Sequence, residues 1–257
     1  MEKLDYRKAI VRSSNFIKEQ LDKAGFKKVI IGLSGGIDSA VTAALCVDAI
    51  GSENVRGVMM PYKSSHPDSL NHAIEVAEKL NIEYEIVDIS PMVDSYFENY
   101  AKDADSLRRG NRMARERMCI LFDLSAKYKA LVAGTGNRSE LFVGYCTQYG
   151  DSACAFEPIG HLYKTEIFEI AKALDLPKSV IEKKPTADLW DGQTDEQELG
   201  ITYANLDNYL RLILDEKKSI DEIVNSSYSK EEVELVMNLI KKSEFKRNMP
   251  PVLPRNN

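Results

Sequence analysis

The sequence predicts an α/β fold: a parallel twisted sheet with helices on both faces, followed by a helical C-terminal part. Three observations carry this. Apolar runs of strand length alternate with amphipathic runs of helix length through the first half, and such alternation implies right-handed crossovers and parallel strands covered on both faces. The first apolar run, Val29-Ile30-Ile31, ends in a Gly-rich turn that opens directly into a helical run. Beyond residue 163 only helical periods recur.

The elements follow in order. Residues 4–24 place Leu4, Ile10, Phe16, Ile17 and Leu21 at helical spacing and stop at Gly25. Residues 28–33 are the first strand, and the helix after the turn ends near Gly51. Residues 54–62 are the second strand, closed by Pro61, and a loop around 64–68 leads into a helix over 68–80. A third strand covers 82–89, and Pro91 sits in the first turn of the next helix, where its missing N–H costs nothing. A long helix is expected over 111–128 and a fourth strand over 129–136, ending in Gly134 and Gly136. Helices are then expected at 163–174, 202–213, 218–225 and 230–241. The polar stretch 183–203 reads as a long loop, and the tail with Pro250, Pro251 and Pro254 as irregular. No linker divides the chain, so residues 1–257 are expected to form a single domain.

Composition bounds the function. The 257 residues are 44% hydrophobic and 29% charged, ordinary for a globular protein. A net charge of −6 argues against general nucleic-acid binding. The N-terminal stretch lacks an apolar core of signal-peptide length and no segment approaches a membrane span, so no membrane partner and a cytoplasmic location are expected. The four cysteines (Cys46, Cys119, Cys146, Cys154) form no C-x-x-C pair and read as buried free thiols. The three histidines form no ligand pattern, and no Ser-His-Asp or Cys-His arrangement is apparent.

The turn after the first strand, GLSGGIDS over 32–39, is the most informative segment. A helix N-terminus has unpartnered N–H groups and a favourable dipole for anions. Gly32, Gly35 and Gly36 let backbone close on an anion, Ser34 and Ser39 add hydroxyls, and Leu33 and Ile37 fill the segment. A carboxylate at Asp38 would repel phosphate unless a divalent cation lies between them. The turn has no Lys and is too short for G-x-x-x-x-G-K-[ST], and it lacks G-x-G-x-x-G spacing. Further along, Arg108, Arg112 and Arg115 share one side of a helix and suit an anionic ligand. Thr135 lies just past the fourth strand, and Glu140 follows as a candidate second carboxylate for the cation. Lys164 stands in the first turn of a helix against the dipole preference, a hint of bound phosphate.

The S-G-G-x-D-S turn resembles the pyrophosphate loop of the N-type ATP pyrophosphatases. It stands in order with GN-x-x-AR-x-RM, GT-x-N-x-SE, GY-x-T-x-YGD, YKTEI, PTADLW…DE-x-x-LG-x-TY and FKRNMPP. Together, from about residue 5 to 254, these blocks resemble ammonia-dependent NAD synthetases. The resemblance implies a Rossmann-like, adenine nucleotide α-hydrolase-like fold without a glutaminase domain. It implies ligase activity: ATP-dependent amidation of deamido-NAD by ammonia, through an acyl-adenylate, with the same reaction on nicotinate mononucleotide as the alternative. Matching positions assign residues 32–39, Thr135, Lys164 and Thr186 to ATP, Asp38 and Glu140 to Mg²⁺, and Arg115 and Lys246 to deamido-NAD. Asp38 and Lys164 would serve the chemistry. A homodimer with the dinucleotide site at the subunit boundary is also implied. The chain departs from the frequent family pattern at Gln148, where a lysine is usual, and at Ala155, where an aspartate is usual. Charge and counter-charge are lost together, which fits loss of one paired interaction.

Overall fold

The computed structural model describes residues 4–255 apart from 187, 191, 193 and 227. Helix α1 (Tyr6–Ala24) leads into strand β1 (Lys28–Gly32), helix α2 (Ile37–Ile50), β2 (Val55–Met59), α3 (Pro67–Lys79), β3 (Glu83–Ile86), α4 (Ser90–Tyr100), α5 (Ser106–Tyr128) and β4 (Ala130–Ala133). The C-terminal part adds α6 (Arg138–Val143), α7 (Lys164–Ala173), α8 (Lys178–Ile181), α9 (Asp195–Leu199), α10 (Tyr203–Leu210), α11 (Ile220–Asn225) and α12 (Lys230–Lys242).

The four strands pair in parallel in the order β3-β2-β1-β4. The chain moves one way from β1 through β2 to β3, then crosses back to place β4 on the other side of β1. The switch point therefore lies between β1 and β4, and ligands in open parallel sheets bind beyond the C-terminal strand ends at such a point. Alternation in β1 sorts its side chains: Val29 and Ile31 join the core under α1, α2, α3 and α7, and Ile30 joins the core under α4 and α5. A third core gathers Tyr163, Leu206, Leu210, Val233 and Val236 among the C-terminal helices.

The strands are shorter than expected, because the last residues of each run turn into the loops at the sheet edge. Helix α5 begins at Ser106, not 111. Asp105 caps it by accepting from the Arg108 N–H at 2.8 Å, an N-cap ahead of the apolar period. The expected loop over 183–203 holds α9, a short helix whose negative first turn favours its N-terminus; residues 187, 191 and 193 of that stretch lie outside the described ones. Helix α10 stops at Leu210 and the chain continues as one π-helical turn, Arg211–Asp215. Only Cys46 among the thiols is buried, its pKa pushed up to about 12 by burial. Cys119 is exposed, and Cys146 and Cys154 are half-buried. A small-residue neighbourhood does not decide burial when the residue lies on an outward helix face, as Cys119 does on α5. Among the described residues, no helix is long and apolar enough to cross a membrane.

Candidate active site

Beyond the strand ends lies a cavity of about 920 Å³, near the upper end for a small-molecule site. The turn Gly32–Ser39 forms one wall. Gly35 takes φ +72°, and a Cβ there would run into the Ser69 carbonyl, so only glycine lets α3 approach the turn. The turn is wired to itself: the Gly36 N–H donates to Ser34 Oγ at 3.2 Å and Ser39 Oγ donates to the Gly36 carbonyl at 3.0 Å. Gly36 caps α2 without a side chain, leaving that helix N-terminus open toward the cavity.

Beneath the turn, α2 supplies Asp38, α6 supplies Glu140 and α7 supplies Lys164. Lys164 Nζ lies 2.6 Å from Asp38 and 3.0 Å from Glu140. Its side chain is only 3% exposed, so both pairings act with little screening. Asn137 donates from Nδ2 to the other Asp38 oxygen at 2.8 Å, and its Oδ1 accepts from the Glu140 N–H in a capping box that fixes α6. Tyr203 packs over the ammonium, its ring centre 5.0 Å from Nζ and its hydroxyl donating to Asp195 at 3.1 Å. Asp38 and Glu140 thus flank one ammonium, and Asp195, bonded to Tyr203, adds a more distant negative charge. Burial pushes the Glu140 carboxyl up to about 8, with Lys164 opposing and Asp38 reinforcing that push. Burial pulls the Lys164 ammonium down, but the carboxylates outweigh it and raise its pKa, so Lys164 stays charged.

Lys164 begins α7, and a cation there opposes the helix dipole. Asp207, reaching in from α10, offsets it by accepting from the Thr165 N–H at 2.8 Å and from the Ser139 hydroxyl. The expectation that Lys164 marks a phosphate thus meets a second physical cause: Asp38 and Glu140 hold it even without an anion.

Of the residues assigned from the sequence, Gly32, Leu33, Ser34, Gly36, Ile37, Asp38, Ser39, Thr135, Glu140, Lys164, Thr186 and Lys246 line this one cavity. Gly35 turns away toward Ser69. Lys246 Nζ donates to the carbonyls of Gly144 and Cys146 at 2.8 and 2.7 Å. Arg115 does not line the cavity; it is exposed, with Nε donating to the Gln148 carbonyl at 3.3 Å. The arginine-rich helix presents a different member to the cavity than expected. Arg108, Arg112 and Arg115 face away, two of them occupied by Asp103 and Glu116. The cavity face of α5 is Gly110, Asn111, Ala114, Arg117, Met118 and Leu121, at helical spacing. Arg117 donates to the Met60 carbonyl at 3.0 Å, and burial brings its pKa down to about 10.

Sequence reasoning missed Asn137, Arg117, Lys183, Asp188 and Asp195 as site residues. Asn137 had a legible signal, Asn followed three residues later by Glu. Asp188 and Asp195 fall within the PTADLW…DE block, but nothing in its spacing shows that it folds onto the cavity, Asp188 from a loop and Asp195 from the start of α9. Asp188 accepts from the His66 N–H and the Ser69 hydroxyl, tying residues 183–190 to the start of α3.

Comparison with known proteins places the chain among relatives of one description. The family model described as NAD synthase matches residues 9–250. The NH(3)-dependent NAD(+) synthetase of Fusobacterium nucleatum is 52% identical over 252 residues, 97% of this chain and 97% of that protein. The enzyme of the same description from Methanocaldococcus jannaschii is 46% identical over 242 residues, 93% of each. Among solved structures, the NH3-dependent NAD synthetase of Campylobacter jejuni superposes with a TM-score of 0.83 at 35% identity, covering 98% of this chain and 100% of that one. The NMN synthetase of Francisella tularensis superposes with a TM-score of 0.87 at 31% identity, covering 98% and 99%.

Proposed function

The chain belongs to the NAD synthase family, and from that premise we propose how its cavity performs the ATP-dependent amidation of deamido-NAD by ammonia. The nicotinate carboxylate attacks the α-phosphorus of ATP. The α–β bridging bond breaks, its electron pair leaves with pyrophosphate, and an acyl-adenylate remains. Ammonia then adds to the activated carbonyl, AMP is expelled, and the surplus proton passes to solvent. The substrate's own carboxylate is the nucleophile, so no activated Ser or Cys is needed.

The observation that carries the reading is the convergence of Asp38, Glu140 and Lys164 beneath the open N-terminus of α2. The turn N–H groups and the hydroxyls of Ser34 and Ser39 take the phosphates, with Thr135 and Thr186 lining the remainder of the ATP site. Asp38 and Glu140 fit Mg²⁺, which characteristically binds through one or two carboxylates plus substrate phosphates. Two carboxylates beside one ammonium leave an excess of one negative charge when all are ionised. Bound there, Mg²⁺ would neutralise charge on the departing phosphates. Lys164 holds a fixed positive charge where negative charge builds on the α-phosphate oxygens. Lys246 and Arg115 are the deamido-NAD contacts in this reading. A dinucleotide site completed by a second copy in a homodimer accounts for Arg115 lying outside the cavity of one chain. The reading takes residues 1–257 as one synthetase domain, acting in the cytoplasm.

Product analysis with ATP, Mg²⁺, ammonium and deamido-NAD tests this. NAD, AMP and pyrophosphate in equal amounts are expected, and pyrophosphate release independent of the nicotinate acid would refute it. The same amidation on nicotinate mononucleotide is the second reading. Gln148 and Ala155 remove the charged pair at the substrate block, and the Francisella tularensis NMN synthetase shares the fold closely. Comparing kcat/KM for the dinucleotide and mononucleotide acids separates the two.

A further inference from the structure

The Gly-rich turn contains no lysine, although a loop that cradles a polyphosphate commonly draws a cation onto the outer phosphates. Lys183 stands at that place from a distant part of the chain. Its Nζ donates to Ser69 Oγ at 2.9 Å and lies 3.5 Å from the Gly35 carbonyl, so the ammonium spans the turn and the start of α3. It lines the same cavity as Ser34 and Asp38. Among the described residues, no carboxylate lies within ion-pair distance of it. The nearest negative charges, Asp188 and Asp68, only oppose a burial that pulls its pKa down. Asp188 is already engaged by the His66 N–H and by the hydroxyl of Ser69, the residue Lys183 itself reaches. The ammonium is thus held at the turn by neutral oxygens alone, which a phosphate oxygen would readily replace.

Resting on the reading of 32–39 as the pyrophosphate turn, we propose that Lys183 supplies from the 183–190 loop the cation the turn lacks, contacting the phosphates that leave as pyrophosphate. Lys164 and Lys183 then divide the polyphosphate. Lys164 sits beside Asp38 and Glu140, and Lys183 sits against the Gly35 carbonyl and Ser69. One ammonium meets the phosphate that stays with AMP, the other the two that depart.

Calorimetric titration of the full chain with inorganic pyrophosphate and, separately, AMP, both with Mg²⁺, tests the division. Lys183→Met is expected to weaken pyrophosphate binding by roughly 10- to 100-fold, the range for loss of one charge-assisted contact, with AMP affinity unchanged. Lys183→Arg should restore most of the pyrophosphate affinity. If Lys183→Met binds pyrophosphate as the parent does, the proposal is wrong. It is equally wrong if both ligands weaken in parallel with a lowered Tm, because Lys183 would then only fasten α3 to the turn. Should the parent chain itself fail to bind pyrophosphate, the turn reading falls, and Lys183 with it.

Discussion

At the scale of single residues, the site is a problem of buried charge. Asp38 accepts from Lys164 on one oxygen and from Asn137 on the other. Asp38→Ala is expected to reduce ATP–pyrophosphate exchange by on the order of 10²- to 10³-fold, the usual loss when a preorganised electrostatic partner goes. The chain should stay folded, as circular dichroism would verify, since Glu140 still pairs Lys164. Glu157 offers a second test from behind the Gly134 wall of the cavity. It accepts from the Gly136 N–H at 3.0 Å, and burial pushes its pKa from 4.5 to about 7. The folded state therefore holds a proton that the unfolded chain releases at lower pH. This favours folding below 4.5, and the advantage is lost as pH rises through about 7. Glu157→Gln keeps an acceptor for Gly136 and removes the titration. It should raise unfolding free energy by roughly 1–3 kcal/mol at pH 8 and by little at pH 4, as urea melts at the two values would measure. A parent and variant with the same pH profile would remove the buried-acid explanation.

Among the elements, the contact of α3 with the turn is the most demanding. Gly35 is at positive φ, and an added Cβ meets backbone, which cannot rotate away. Gly35→Ala is expected to cost about 1–3 kcal/mol from the strained conformation alone. It should also lower ATP affinity by pushing α3 off the turn, with Tm and nucleotide titration as the two readouts. How far the elements were legible follows from the same physics. Strand β1, the turn and α2 declare themselves because apolar period, glycines and helix start all fall within consecutive residues. Asp38, Glu140 and Lys164 could each be singled out, but nothing in their spacing announces one ammonium between two carboxylates, since α2, α6 and α7 meet only through the crossovers. Arg117 was hidden by its neighbours: five arginines in one helix give a charge signal but not the phase that decides which enters the cavity. Helix α9 is five residues long, too short for any period.

On the scale of the whole molecule, one question is what covers the exposed apolar side chains. Tyr100 is 82% exposed on α4, and Met249, Val252 and Leu253 in the tail are 87–91% exposed. Apolar patches left open on one copy suit a symmetric partner. Sedimentation is expected to give twice the mass of the chain, and a monomer at micromolar concentration would count against a dinucleotide site shared between copies. The cavity also fixes when the protein becomes competent. Its wall starts at Gly32 and ends at Lys246, and Asp38 has its cation only once Lys164 is in place. A nascent chain leaving the ribosome exposes the turn early, yet gains the cation for Asp38 only when the start of α7 emerges, 126 residues later. Retention of ATP would then report that the crossovers have closed, and fragments ending before α7 should pass over immobilised nucleotide without stopping.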